Sequence, residues 1–145
     1  QSSKWAMPAI VLASVWKDMG YFGLMLMSGL QGINQEYYDA AAIDGAGKIK
    51  QFTRITLPLL TPTLFFVLII SLINSFQLFT QIMIMTPDGG PLGSTMVMVE
   101  RIYKCGFRYY EMGTAAAYSW ILFAILLLLT MVQMKLQNKW VNYDD

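Results

Sequence analysis

The sequence predicts an all-α, polytopic membrane protein with three transmembrane helices and a helix-turn-helix loop between the first two. Three observations predict it. Of 145 residues, 56% are hydrophobic and only 13% charged, too apolar for an ordinary soluble domain. Residues 19–35, 55–87 and 112–134 carry no Asp, Glu, Lys or Arg. A bilayer core of roughly 30 Å needs about 20 apolar residues in helix, and the last two runs supply that outright. The third observation is the segment DAAAIDGAGKIKQFTRITLP, Asp39 to Pro58, in which one glycine divides two short helical patterns.

The first span is expected at about residues 7–32, with Pro8 in the first turn, where its missing N–H costs nothing. It has to carry Lys17 and Asp18 within it; the competing reading is a half-span from Met19 preceded by an amphipathic lead-in. Gly20, Gly23, Gly29 and Gly32 permit close helix approach. The loop follows at about 34–58, with Asn34 as N-cap and Glu36 in the first turn. Tyr37, Ala40, Ala41 and Asp44 share one face of its first helix, and Gly45 stops that helix. In the second helix Ile49, Phe52, Ile55 and Thr56 form a stripe, with Lys48, Lys50 and Arg54 elsewhere on the surface. An interfacial helix lying on lipid headgroups accounts for the second helix alone. It does not account for the Ala-rich first helix, the glycine and the proline together, which favour docking to a soluble partner.

Thr61-Pro62 reads as a cap-plus-first-turn pair that launches the second span, about 61–85. Thr86-Pro87-Asp88-Gly89-Gly90-Pro91 is too dense in breakers to remain helical. An outer amphipathic helix is expected at about 94–110, with apolar Val99, Ile102, Tyr103 and Phe107 between charged residues. The third span is expected at about 113–134, ending in Lys135, Lys139 and Trp140, which suit an interface.

Several functions are disfavoured by composition. A net charge of +1 without a basic cluster argues against nucleic acid. One cysteine, Cys105, excludes an internal disulfide and a cysteine metal cluster, and reads as a small apolar residue. With no histidine and no G-x-x-x-x-G-K-[ST] phosphate loop, neither a histidine-based catalytic pair nor an ATPase site is visible. The expectation is a transporter subunit, not an enzyme, with no cofactor or metal of its own. No cleavable signal is visible, and an opening Gln1 is expected of a fragment or a processed chain.

The central loop resembles the cytoplasmic motif of permease subunits in ATP-binding-cassette importers: E-A-A, three residues, G, nine residues, I-x-L-P. Here it is Asp39-Ala40-Ala41, three residues, Gly45, nine residues, then Ile55-Thr56-Leu57-Pro58, with Asp39 where the family usually has Glu. GLQGINQEYYDAAAIDGA, TPDGGPLGST and YEMGTAAAYSW are further similar to the carbohydrate branch, the permeases for maltose, oligosaccharides and glycerol phosphate; Asn34 stands where proline is usual. Permeases of this kind commonly have more spans, so the chain resembles a C-terminal half. The resemblance implies a second permease subunit, ATPase subunits that bind ATP and Mg, an external substrate-binding protein, and residence in the bacterial inner membrane. It implies that Asp39, Ala40, Ala41, Asp44, Gly45, Ile55, Leu57 and Pro58 dock the ATPase, with Asp39 meeting a basic residue and Gly45 setting the angle. Loop and C-terminus are then cytoplasmic. Basic residues alone do not orient the chain: five (Lys48, Lys50, Arg54, Lys135, Lys139) fall inside and four (Lys4, Arg101, Lys104, Arg108) outside.

A translocation path is expected to show as polar groups within a span. Ser71, Asn74 and Ser75 share one face of the second span, flanked by Gln77 and Gln81. An amide both donates and accepts, matching a sugar hydroxyl. Helix–helix hydrogen bonding is the plainer explanation for the serines; an amide at mid-depth is a larger burden and favours the pathway for Asn74. Trp16, Lys17 and Asp18 are a second candidate, an aromatic face beside a charge, against simple packing and ion pairing. The aromatics of the outer helix (Tyr103, Phe107, Tyr109, Tyr110) suit either a binding protein or an interfacial belt. A permease for amino acids, peptides or polyamines shares the loop motif but less of the Gly-Gly-Pro region. A non-transporting membrane anchor or assembly subunit is the reading from another class.

Overall fold

The computed structural model describes residues 2–140, with side chains through Gln137; Gln1, the side chains of Asn138, Lys139 and Trp140, and the C-terminal residues 141–145 lie outside the described residues. Every described regular element is helical: α1 Ser3–Gln31, α2 Gln35–Ile43, α3 Lys48–Leu59, α4 Thr61–Phe76, α5 Thr80–Met85, α6 Met98–Tyr103 and α7 Met112–Trp140. Two, α1 and α7, are long and apolar enough to cross a membrane, and α3 with α4 is a third candidate bent by 61°.

The first helix runs unbroken through Lys17 and Asp18, which pair at 3.2 Å. At its end Gly29 lies so close to α4 that a Cβ there would sit 2.5 Å from the Thr63 hydroxyl and 2.9 Å from Leu60. The second helix is capped as its sequence predicts: the Asn34 side chain accepts from the Glu36 N–H at 3.1 Å. Its far end is a Schellman turn. Gly45 adopts φ +73°, its N–H reaches Ala42 O at 3.0 Å, and the Ala46 N–H reaches Ala41 O at 2.9 Å.

The bend between α3 and α4 follows from two prolines four residues apart. Pro62 has no N–H to offer the Pro58 carbonyl, and the Thr61 hydroxyl donates to that carbonyl instead, at 2.6 Å. Thr61 is therefore the first residue of α4, not its N-cap, and its side chain bonds backwards. A π-turn at Phe52–Thr56 widens α3 just before Pro58, whose ring would collide with the Arg54 carbonyl in a regular helix.

The long second span expected from sequence is interrupted. Helix α4 stops at Phe76, about 24 Å after it began, and α5 resumes at Thr80. Phe79, in the gap, is drawn against Tyr103 with ring centroids 5.1 Å apart. After α5, Thr86, Gly90 and Thr95 close a tight double turn. The buried Thr95 hydroxyl donates to the Thr86 hydroxyl at 2.9 Å, and a Cβ at Gly90 would sit 2.7 Å from it. The outer helix consequently begins at Met98, not near Ser94, and ends in a π-turn at Lys104–Arg108. An ionic strap ties helix to turn: Glu100, only 3% exposed, pairs with Lys104 at 2.9 Å, while Lys104 and Arg108 both reach Asp88. The π-turn packs against α7 at Gly106, where a Cβ would rest 3.4 Å from Ala115.

Candidate functional site

Two features stand apart from plain helix packing: an elbow between α1 and α4, and cavities beneath it along α1.

The elbow is α2, the Gly45 turn and the first part of α3. Its halves are held by one hydrogen bond across the bend, Tyr38 Oη to Thr56 Oγ1 at 2.8 Å, with Thr56 buried. Gln51 Nε2 adds a bond to Ala46 O at 3.1 Å. With Tyr38 turned inward, the face carrying Tyr37, Ala40 and Asp44 is left outward, and Asp39 accepts from Gln35 Nε2 at 3.2 Å. Ile43 is 87% exposed and Ile49 83%, and Phe52 and Leu57 are exposed beside them. Ile55 and Pro58 are half-covered nearer the bend. These exposed apolar side chains sit on a turn braced from behind by the Tyr38–Thr56 bond. The predicted docking residues thus fall in one element, though not all on its outer surface.

The larger cavity, about 640 Å³, lies between α1 and α4. From α4 it takes Ser71, Asn74 and Ser75; from α1 it takes Val11, Ser14, Asp18, Phe22 and Leu26 among others. A second, of about 250 Å³, adjoins it and holds Lys17, Asp18, Asn74, Gln77 and Gln81. The Ser71 hydroxyl donates to Leu68 O at 3.0 Å and that of Ser75 to Ser71 O at 2.8 Å, so both donors are committed to backbone. The Asn74 and Gln77 amides make no hydrogen bond to any described residue and face the open space. Four of the five predicted pathway residues are therefore brought together. Trp16 is not: it is 78% exposed and lines neither cavity. Asp18 joins the two cavities.

Two helices are long and apolar enough to cross a membrane, and one of them, α1, walls a polar-dotted cavity with α4, as suits a membrane component. The chain belongs to the binding-protein-dependent transport system inner membrane component family, whose profile it matches over residues 1–143. That family is a membrane permease component, not an enzyme. The chain is 36% identical over 141 residues to the probable ABC transporter permease protein YesP of Bacillus subtilis, covering 97% of the chain and 45% of that protein. It is 37% identical over 144 residues to the sn-glycerol-3-phosphate transport system permease protein UgpA of Pectobacterium atrosepticum, and equally to that of Shigella flexneri, covering 99% of the chain and 49% of each relative. The chain thus spans about half the length of these curated relatives.

Proposed function

We propose that the complete protein is a multi-pass permease subunit of an ATP-driven importer, moving a sugar or a sugar-like solute across the bacterial inner membrane. The present chain is the C-terminal part of its transmembrane domain, with the elbow and the C-terminus in the cytoplasm. The observation that carries the proposal is the braced, outward-facing elbow at the family spacing, with an apolar surface that no described residue covers. ATP and Mg are bound by partner ATPase subunits; a second permease subunit completes the path and an external binding protein delivers the solute. The relatives named for glycerol 3-phosphate transport and for an ABC permease support this class.

The chemistry asked of the chain is mechanical. Closure of the ATPases moves the elbow, and the elbow is joined to α4 through the bent α3, so its displacement reaches the cavity wall carrying Ser71, Asn74 and Ser75. Asp39 supplies a carboxylate for a basic partner residue, and Ala40 and Ala41 let the partner's backbone come close. At the cavity the Asn74 and Gln77 amides offer donor and acceptor to hydroxyls. The test is ATP-dependent uptake by the assembled importer. Asp39→Lys and Gly45→Pro should abolish uptake while the protein still inserts; uptake surviving both removes the coupling role. Asn74→Leu should change the rate or the preference among solutes.

A further inference from the structure

We propose that the ATPase subunit presents a patch of carboxylates to the start of α3, where Lys48 and Lys50 meet it. The inference rests on the coupling role proposed above and names the chemistry of the partner's surface.

Charge on the elbow is sorted by arm. The first arm carries Glu36, Asp39 and Asp44 and no base; the second carries Lys48, Lys50 and Arg54 and no acid. All six are exposed, and among the described residues none of them forms an ion pair. Asp44 and Lys48 stand on either side of the Gly45 turn, yet they do not pair. Nor does the fold gain from where these charges lie. Asp44 ends α2, at the negative pole of its helix dipole, and Lys48 and Lys50 open α3, at the positive pole of the next. Each is mildly unfavourable for its own helix, and an opposite charge brought from outside relieves it. Lys48 and Lys50 flank Ile49, which is 83% exposed, and with Gly47 and Thr53 they line a groove of about 630 Å³. An apolar side chain between two ammonium groups fits a protein surface of matching pattern, an apolar seat with acids at its rim. Anionic lipid headgroups match it poorly. They would attract the second arm but repel the first, and over the whole elbow the charges cancel. A partner of opposite polarity, acidic towards α3 and basic towards α2, satisfies both arms at once and admits the elbow in one direction only.

The experiment uses the full-length permease with its second permease subunit in phosphatidylcholine nanodiscs, with or without phosphatidylglycerol, and adds the purified ATPase subunit. Its dissociation constant is measured over a range of salt. A zero-length carbodiimide, which joins only an amine and a carboxylate in direct contact, then maps the contacts by mass spectrometry. The expected result is an isopeptide bond from Lys48 or Lys50 to an Asp or Glu of the ATPase in both lipids. The Lys48→Glu, Lys50→Glu double variant should bind at least about tenfold more weakly, a deficit that shrinks as salt is raised. Lys135→Gln, near the end of α7, is the control and should bind as the wild type does. Unchanged binding in the double variant, or cross-links from these lysines only within the elbow, overturns the acidic patch and leaves the coupling role standing. So does a deficit confined to discs containing phosphatidylglycerol, which assigns the lysines to lipid. Failure of the wild-type complex to bind the ATPase at all overturns the coupling role and the acidic patch with it.

Discussion

Replacing Gly45 by alanine isolates the conformational demand of the elbow. Gly45 has φ +73° and nothing within 4 Å of the position a Cβ would take, so the substitution meets no steric clash with its surroundings. The whole cost is backbone: an L-residue in the left-handed region loses about 1–2 kcal/mol. At about 1 kcal/mol the population of the native turn falls roughly fivefold, since 1.4 kcal/mol is a factor of ten. Gly45→Asn should cost less, because asparagine visits that region more readily. Gly45→Pro should cost the most, as it fixes φ near −65° and deletes the N–H that bonds Ala42 O at 3.0 Å. Gly47, two residues on, supplies the control: its φ is −67° and its Cβ position is also open. The assay is ATP-dependent uptake normalised to inserted protein. The expected order of activity is wild type and Gly47→Ala, then Gly45→Asn, Gly45→Ala and Gly45→Pro. Equal activity of Gly45→Ala and Gly47→Ala would refute the reasoning, because only one of the two demands a left-handed turn.

Three further outcomes follow from particular contacts. Tyr38→Phe removes the 2.8 Å bond to Thr56 and should cost about 1 kcal/mol; the double variant with Thr56→Val should cost little more than either alone in a thermal-unfolding cycle. Gly29→Ala drives a methyl into Thr63 and Leu60 and should lower stability by about 1–3 kcal/mol of overpacking, read as a fall in the melting temperature of the detergent-solubilised complex. Lys104→Met leaves the buried Glu100 carboxylate without its partner and should cost about 3–5 kcal/mol, seen as loss of folded protein, with Glu100→Gln in the same chain restoring much of it.

Much of this fold is written in short-range chemistry. Charge-free runs locate α1, α4 and α7 because a membrane tolerates few charges, and the Asn34 cap and Gly45 stop are local rules that hold whatever surrounds them. The elbow was legible for the same reason. The break after Phe76 was not: SFQLFT holds neither glycine nor proline, and the interruption coincides with a tertiary contact, Phe79 on Tyr103, from a residue 24 positions later. The start of the outer helix was missed because Thr95 is held in the double turn by Thr86, again across the chain. At the cavity, a helical wheel of α4 found Ser71, Asn74 and Ser75, since one face is a property of one helix. Which residue of the Trp16-Lys17-Asp18 triplet faces them depends on how α1 is rotated against α4. That rotation is set by packing, notably the close approach at Gly29.

The central claim is that the elbow seats in an ATP-hydrolysing partner, and a photo-cross-linker at Ile43 tests it most directly. That position is 87% exposed at the end of α2, one turn beyond Asp39 and Ala40. In membranes carrying the assembled importer, illumination should join this chain to the ATPase subunit in high yield, with a control cross-linker at Trp120, exposed on α7, giving no such product. Cross-links from Ile43 to lipid alone, in a complex that still hydrolyses ATP and transports, would contradict the account.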